Sequence, residues 1–436
     1  MAINKQVILY FIIIFCAIYQ DSPLFNLLGE IGRSPIVILC PLMLLYLMSH
    51  KNLTISKYTT YFVKYILYLF LITVIFLVVA VYHNDSVEIL GENIIVKTFK
   101  MMMYPLVALI FYTFIFRYVS NHISTIHNLF SAIFYMQLFL CLFITLEIYF
   151  LKSSTVFLPQ LHSTPEKFWR VRLLTYEESW VGTVLVLFIF FPLFLVYHLK
   201  IKGFIRFISI LCSTYMLLSY AVVSESKGFL FLCLLSIFPL FLSYVRKNKY
   251  LKNIFFAVII LILAFSIFLI ANLQEIVNDQ LTTSITFGTR FSTIFSSIAL
   301  FLLCPIGVGW SGFVNYFPQM LEFVLDSSLF DSFNLQEVKG YLSTTKALST
   351  KTEFFDNLLY GGIFFIIFFY KFFIRKYIEI SKIPDTYFYF IRIPIAFMIM
   401  AGIIYVTFHV KYDVWLLLAL ADVFLIEYNQ KHENKT

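Results

Sequence analysis

The strongest constraint on this chain is its succession of unbroken apolar runs about 20 residues long, the length a helix needs to cross the hydrocarbon of a bilayer. They lie near 6–20, 34–49, 61–82, 98–120, 127–151, 180–199, 203–222, 228–246, 253–272, 354–374, 391–409 and 412–428. In lipid every backbone N–H and C=O must find a partner inside the protein, and these runs are continuous rather than alternating, so helices are expected and a barrel is not. With 61% hydrophobic and only 13% charged residues among 436, there is too little charged surface to keep the chain in water. The expected fold is all-α: a polytopic integral membrane protein of about twelve transmembrane helices with no separate soluble domain. Lys5 precedes the first run and no small-x-small cleavage site follows at Tyr19 to Leu24, so that run reads as a retained span. No internal repeat is visible, and the two halves differ in loop length, which weighs against an inverted-repeat transporter.

Orientation follows from the basic residues between runs. One set of alternate loops carries Lys51 and Lys57; Lys200, Lys202 and Arg206; Arg246, Lys247, Lys249 and Lys252; and Lys371, Arg375, Lys376 and Lys382. The positive-inside rule places these loops, and with them both termini, in the cytoplasm. The net charge of +8 is thereby a topology signal and not a nucleic-acid footprint, since no polar domain presents a basic face. The expected organisation is 1–151 with helices 1–5, 152–179 as an external loop, 180–272 with helices 6–9, 273–353 as a long external loop, and 354–436 with helices 10–12 and a cytoplasmic tail. Cys16, Cys40, Cys141, Cys212, Cys233 and Cys304 all fall in apolar stretches without a CxxC pair or a nearby His, so neither a disulfide framework nor a metal site is expected.

The polar residues concentrate in the two long outer loops, where chemistry is therefore expected. In the second, the apolar run Phe291–Cys304 ends at Pro305 and is too short to span, which suggests an interfacial or re-entrant helix. The stretch Phe313–Phe330 has the rhythm of a surface helix. The first loop holds Glu166-Lys167-Phe168-Trp169-Arg170-Val171-Arg172, followed by Thr175-Tyr176-Glu177-Glu178-Ser179-Trp180. Positive charge on the outer face runs against the orientation rule, and binding of an anionic group is the plainest reason for it. The bland alternative is a solvated loop with Glu166 and Glu178 as local partners. Arg170, Arg172, Lys227 in the turn Ser224–Gly228, and Arg290 after Gly288-Thr289 together suit a pyrophosphate, because guanidinium forks match phosphate oxygens and an ammonium adds a point charge. Pro305-Ile306-Gly307-Val308-Gly309-Trp310 reads as a glycine turn whose role is backbone geometry.

Four features together resemble a known family. Arg172 is followed by Glu-x-Ser at the next span (to Ser179), Ser224 to Lys227 gives Ser-x-Ser with a basic residue, Arg290 precedes Pro-x-Gly-x-Gly (to Gly309), and Gly361-Gly362 closes the following span. In these motifs and in topology the chain resembles the Wzy-type O-antigen polymerases, relatives of the O-antigen ligases. The resemblance implies a metal-independent glycosyltransferase of the GT-C type, without a cofactor. It would transfer a growing glycan from undecaprenyl pyrophosphate to the terminal sugar of a lipid-linked repeat unit at the periplasmic face of the bacterial inner membrane. Lipid-linked oligosaccharides, membrane lipid and a chain-length regulator are the implied partners, and nucleic acid is not. Arg172 and Arg290 would be catalytic, holding the departing diphosphate with Arg170 and Lys227. The chain departs from the pattern in two ways. The Arg-x10-Gly spacing is not met, since Gly182 falls one position short after Arg172 and no glycine stands at that distance from Arg290. The His-Asn pair of the ligases is also absent, with no histidine in 273–353, which favours polymerase over ligase.

A base for the acceptor hydroxyl could be Glu177, preferred for its place beside the arginines, or Glu353 or Asp356 at the entrance to the tenth span. Acids at a helix start are more often simple macrodipole partners. His162 and His409 read as loop or boundary residues, and Glu147 and Asp422 as acids within spans, where they are costly and often functional, with simple snorkelling the alternative for Glu147 near its outer helix end. A lipid-linked oligosaccharide flippase would instead need a charged cavity within the bilayer and short connections. A purely structural partner of an assembly system would tolerate replacement of the loop arginines.

Overall fold

The computed structural model describes residues 4–49, 55–82, 88–151, 157–163, 170–223, 226–247, 285–344 and 348–433. They form helices α1 (Lys5–Ile18), α2 (Ile36–Ser49), α3 (Lys57–Tyr82), α4 (Ile94–Asn121), α5 (Ile126–Phe150), α6 (Val181–His198), α7 (Phe204–Val223), α8 (Lys227–Lys247), α9 (Ile285–Leu303), α10 (Gly309–Leu325), α11 (Gln336–Tyr341), α12 (Glu353–Phe369), α13 (Arg375–Ser381), α14 (Tyr389–Ile404) and α15 (Tyr412–Glu433). A two-residue hairpin, Glu88–Ile89 with Glu92–Asn93, is the departure from helix; Leu90 and Gly91 both take positive φ in its turn, as a tight hairpin requires.

The chain is a polytopic, essentially all-α protein. Among the described residues eight helices are long and apolar enough to cross a bilayer, or nine if the segments Phe25–Arg33 and Ile36–Ser49, bent by 64°, are one broken span. Eleven of the twelve apolar runs coincide with helices, and 253–272 lies outside the described residues. Not every such helix meets the spanning criterion. Helix α1 has 14 residues, about 21 Å of rise against a hydrocarbon core of about 30 Å, and α15 carries Asp413, Asp422 and Glu427. The expectation of a short helix at Phe291–Cys304 is corrected: α9 starts at Ile285 and runs for 19 residues, enough to span. Its Ser and Thr residues lower the hydropathy of the run yet do not interrupt the helix, because their hydroxyls donate back to it. Thr289, Ser292, Thr293, Ser296 and Ser297 each bond the carbonyl four residues earlier at 2.8–3.0 Å.

Two compact units divide the chain: residues 1–67, 102–236 and 367–436 form the first, and 68–101 with 237–366 the second. In the first unit α6 is buried nearly all round, as an apolar helix at the centre of a bundle must be, and it packs against α5, α7, α14 and α15. Gln137 of α5 fills its hydrogen-bonding capacity there, donating to Phe188 O, Ser209 O and Ser213 Oγ and accepting from Ser209 Oγ. Phe62 stacks on Trp415 with ring centroids 5.0 Å apart, and Tyr65 on Phe368 at 4.4 Å.

In the second unit α9 and α10 pack as a hairpin, with Phe313, Phe317, Leu321 and Val324 of α10 buried at helical spacing while Glu322 and Phe323 are exposed. The turn before α10 docks backbone to backbone. Gly307 (φ +84°) and Gly362 (φ +54°) face each other so closely that a Cβ on Gly362 would lie 2.2 Å from Pro305 O, and one on Gly307 2.6 Å from Gly362 N. Ile363 N donates to Pro305 O at 2.8 Å and Val308 N to Leu359 O at 2.9 Å. The glycine turn and the Gly-Gly pair, read separately in the sequence, are thus two halves of one contact, and its role is backbone geometry.

Candidate functional site

Three segments meet at one end of the first unit: 19–35, 157–163 with 170–180, and 405–413. After α1 the chain runs beside the first long loop, with Gln20 N donating to Leu174 O at 2.8 Å in an isolated bridge to Thr175. This buries Asp21 completely. Its carboxylate accepts from His162 Nδ1 at 2.8 Å, from Ser163 N at 3.3 Å and from Ser163 Oγ, and it faces Arg172 at 3.5 Å and Arg33 at 3.9 Å. Arg33 is clamped between the rings of Phe25, at 4.3 Å, and Tyr176, at 3.4 Å, while its guanidinium forks onto Glu30.

The arginine loop is fixed from below. Glu147, at the end of α5, accepts the backbone N–H of Arg172 at 2.8 Å and of Leu173 at 2.9 Å, stabilising a turn in which Leu173 holds φ +50°. Glu147 is buried and caps the loop, which overturns the snorkelling alternative. Thr175 closes the turn by donating to Arg172 O. Arg172 is 2% exposed, one of the largest fully buried side chains, whereas the Arg170 side chain is 29% exposed and lies 3.5 Å from Glu178. Glu177 is half-buried and accepts from Ser179 Oγ at 3.2 Å.

The third loop supplies Lys411. Its ammonium donates to Gln20 Oε1 and Trp180 O, both at 3.1 Å, and Gln20 in turn donates to Asp413 at 2.7 Å. Burial pushes the Lys411 amine down to about 8, against the pull of Asp413 and Glu177. The cluster is therefore a largely buried network in which Arg33, Arg170 and Arg172 each face a carboxylate. Low dielectric makes such interactions strong and fixes the groups in place.

Arg290, Glu353 and Asp356 belong to the second unit, Arg290 half-buried in the second turn of α9. Asp356 is fully buried, accepting Thr350 N at 2.7 Å and Ser349 Oγ at 2.8 Å, so it organises its own helix entrance. Glu353 accepts from Asn357 at 2.7 Å. The Lys227 side chain, with Ser224, Glu225 and residues 164–169, lies outside the described residues. Among the described residues no group of His, Cys, Asp and Glu is placed to hold a metal ion.

Asp21, Arg33, Gln20, Lys411 and Asp413 were not singled out from the sequence. A signal did exist: counting alternate loops outward puts 21–33 and 410–411 on the same side as 152–179. Basic loops of the opposite set meet each other likewise, Lys57 pairing with Glu379 at 2.6 Å.

Fold and site thus define a polytopic α-helical membrane protein with a buried ionic network closing one end of a helical bundle. Its sequence matches no protein-family profile. Over 170 residues, 36% of the chain, it is 29% identical to an "Uncharacterized 49.5 kDa protein in cps region" of Klebsiella pneumoniae, and the match covers 37% of that relative's own length.

Proposed function

We propose that this chain is a polysaccharide repeat-unit polymerase of the bacterial inner membrane, with both termini cytoplasmic and the network of Asp21, Arg170, Arg172 and Lys411 at the periplasmic face. It transfers a glycan from undecaprenyl pyrophosphate to a new lipid-linked unit. The carrying observation is the convergence of three loops on one arginine-rich network at one end of the helical bundle. The motif resemblance and a relative from a cps region support the polysaccharide assignment.

In this reading Arg170 makes the first contact with the diphosphate, exchanging Glu178 for phosphate oxygens, because it is the arginine of the network that reaches solvent. Arg172, locked by Asp21, supplies fixed positive charge behind it. Preorganised donors facing a departing pyrophosphate stabilise its developing charge by several kcal/mol, roughly 3 for one well-placed donor.

The test is complementation of a strain deleted for this gene. Wild type restores long surface glycan, and Arg170→Ala leaves a single repeat unit per lipid while the protein still accumulates in the membrane. Arg170→Lys also fails, since an ammonium offers no bidentate fork. Long chains from Arg170→Ala cells would refute the phosphate role.

A further inference from the structure

The second unit holds a cavity of about 710 Å³ between the C-terminal end of α10 and helix α11. Helical spacing explains why it stays open. On α11, Val338 and Tyr341 are buried, and Glu337 accepts from Thr289 of α9 at 3.1 Å and from Tyr341 OH at 2.9 Å, so this face is fixed to α9. Gln336, Lys339 and Leu342, at intervals of three, are left on the other face and line the cavity. On α10, Leu321 and Val324 pack inward, which turns Glu322, Leu325 and Asp326 to the cavity. The connecting turn adds Asp331 and two rings: Phe330 is buried, and the half-buried Phe333 lies parallel to Phe291 of α9 with centroids 5.5 Å apart. Both walls are pinned from behind, and the hollow between them is preformed.

The lining divides by chemistry. Leu325, Leu335, Leu342 and the two rings are buried or half-buried, whereas Glu322, Asp326, Asp331, Gln336 and Lys339 are exposed. An apolar floor under a polar rim, within the range of about 300–1,000 Å³ usual for small-ligand sites, is the form of a binding pocket. Three carboxylates against one ammonium repel a diphosphate or an anionic lipid head, and among the described residues these acids are not grouped to hold a metal ion. A sugar suits both halves. A pyranose offers C–H bonds on its face to aromatic and aliphatic groups, and hydroxyls round its edge that donate to carboxylates and accept from an amide or an ammonium.

We propose that this cavity binds a short neutral segment of glycan, as distinct from the diphosphate that carries it; that the glycan is the substrate's rests on the polymerase reading. The lining residues belong to the loop 273–353 that the orientation rule places outside, the side on which lipid-linked glycan is expected. Its part in the reaction is to hold the sugar chain by contacts remote from the reacting bond.

The test uses purified full-length protein in nanodiscs and, as probe, the repeat-unit oligosaccharide released by mild acid from the lipid-linked pool of the gene-deleted strain. Saturation-transfer NMR should show wild type bound to the sugar, with a saturable affinity. Asp326→Asn combined with Asp331→Asn should weaken binding at least about tenfold, the effect of losing hydrogen bonds to charged groups. Leu342→Trp, which fills the cavity, should abolish it. The two acids are exposed, so the double variant should melt with wild type. In reconstituted elongation it should raise KM for the lipid-linked unit about tenfold with kcat little changed, a split that loss of a reacting group would not give. Wild-type affinity in both variants, or no binding by wild type, overturns the inference while leaving the polymerase reading intact. Binding of an oligolysine peptide in place of the glycan also overturns it, by making the acidic rim a protein-docking surface. Glycan held by a protein that elongates nothing would instead remove the polymerase reading and keep the site.

Discussion

Nine residues along α15 from Asp413, about 14 Å at helical rise, the first unit buries an ion pair whose removal has a calculable effect. Lys376 Nζ lies 2.9 Å from Asp422 Oδ1, and both side chains are 0% exposed. The ammonium also donates to Tyr112 OH at 3.1 Å and Leu418 O at 3.2 Å, and Asp422 accepts from Ser56 at 3.1 Å and from Tyr112. A π-helical turn at Tyr370–Ile374 ends two residues before the lysine. Deleting one partner of such a pair strands the other charge in a dry interior at about 3–5 kcal/mol, whereas replacing both with neutral groups is close to neutral. With about 2 cal/mol/K of unfolding entropy per residue, a chain of this length should lose roughly 3–5 °C of melting temperature in Lys376→Met and in Asp422→Asn. The double variant should recover most of that. Fluorescence-detected thermal stability in detergent reads all three. A double variant as unstable as the sum of the singles would refute the pairing.

Further outcomes follow from other sites. Because burial lowers the folded-state pKa of Lys411 to about 8 from the usual 10.5, its charged form opposes folding most strongly below pH 8, and the opposition fades as pH rises from 8 to 10.5. Wild type should therefore gain up to about 3 kcal/mol of stability over that window relative to Lys411→Met, whose profile lacks the rise; parallel melting curves would exclude it. Gly362→Ala should abolish accumulation of the protein in membranes, since its Cβ meets Pro305 O at 2.2 Å between two backbones that have no room to separate; normal expression would contradict the contact. In right-side-out vesicles Gln160→Cys should react with an impermeant maleimide and Lys202→Cys should not, because the loops at the two ends of α6 lie on opposite sides; equal labelling would break the topology.

The helices were legible because their cause is local: a run of apolar residues of bilayer length leaves the backbone one way to satisfy itself. Helix α9 escaped because hydropathy scores Thr289, Ser292 and Thr293 as polar, while their hydroxyls are absorbed by the helix they sit in. In the site, the arginine loop stood out through its misplaced charge. Its partners did not, because Asp21 and His162 lie 141 residues apart, and nothing near either one announces the other. Glu147 was ambiguous for the same reason. An acid near a helix end looks like a snorkelling side chain until the loop that folds over it brings two N–H groups to its oxygens.

The burial of Arg172 bears on how the network can work. A guanidinium 2% exposed and facing a carboxylate does not reach out to capture substrate. What it does is hold charge in a fixed direction, so no reorganisation is needed when negative charge develops nearby. In the proposed polymerase, capture falls to the rim, where Arg170 is solvent-reached and Glu178 lies 3.5 Å away. This division predicts a graded response to substitution. On that reading, loss of Arg170 should weaken substrate engagement alone, whereas loss of Asp21 should unlink Arg33, Arg172, His162 and Ser163 together and remove both stability and charge placement.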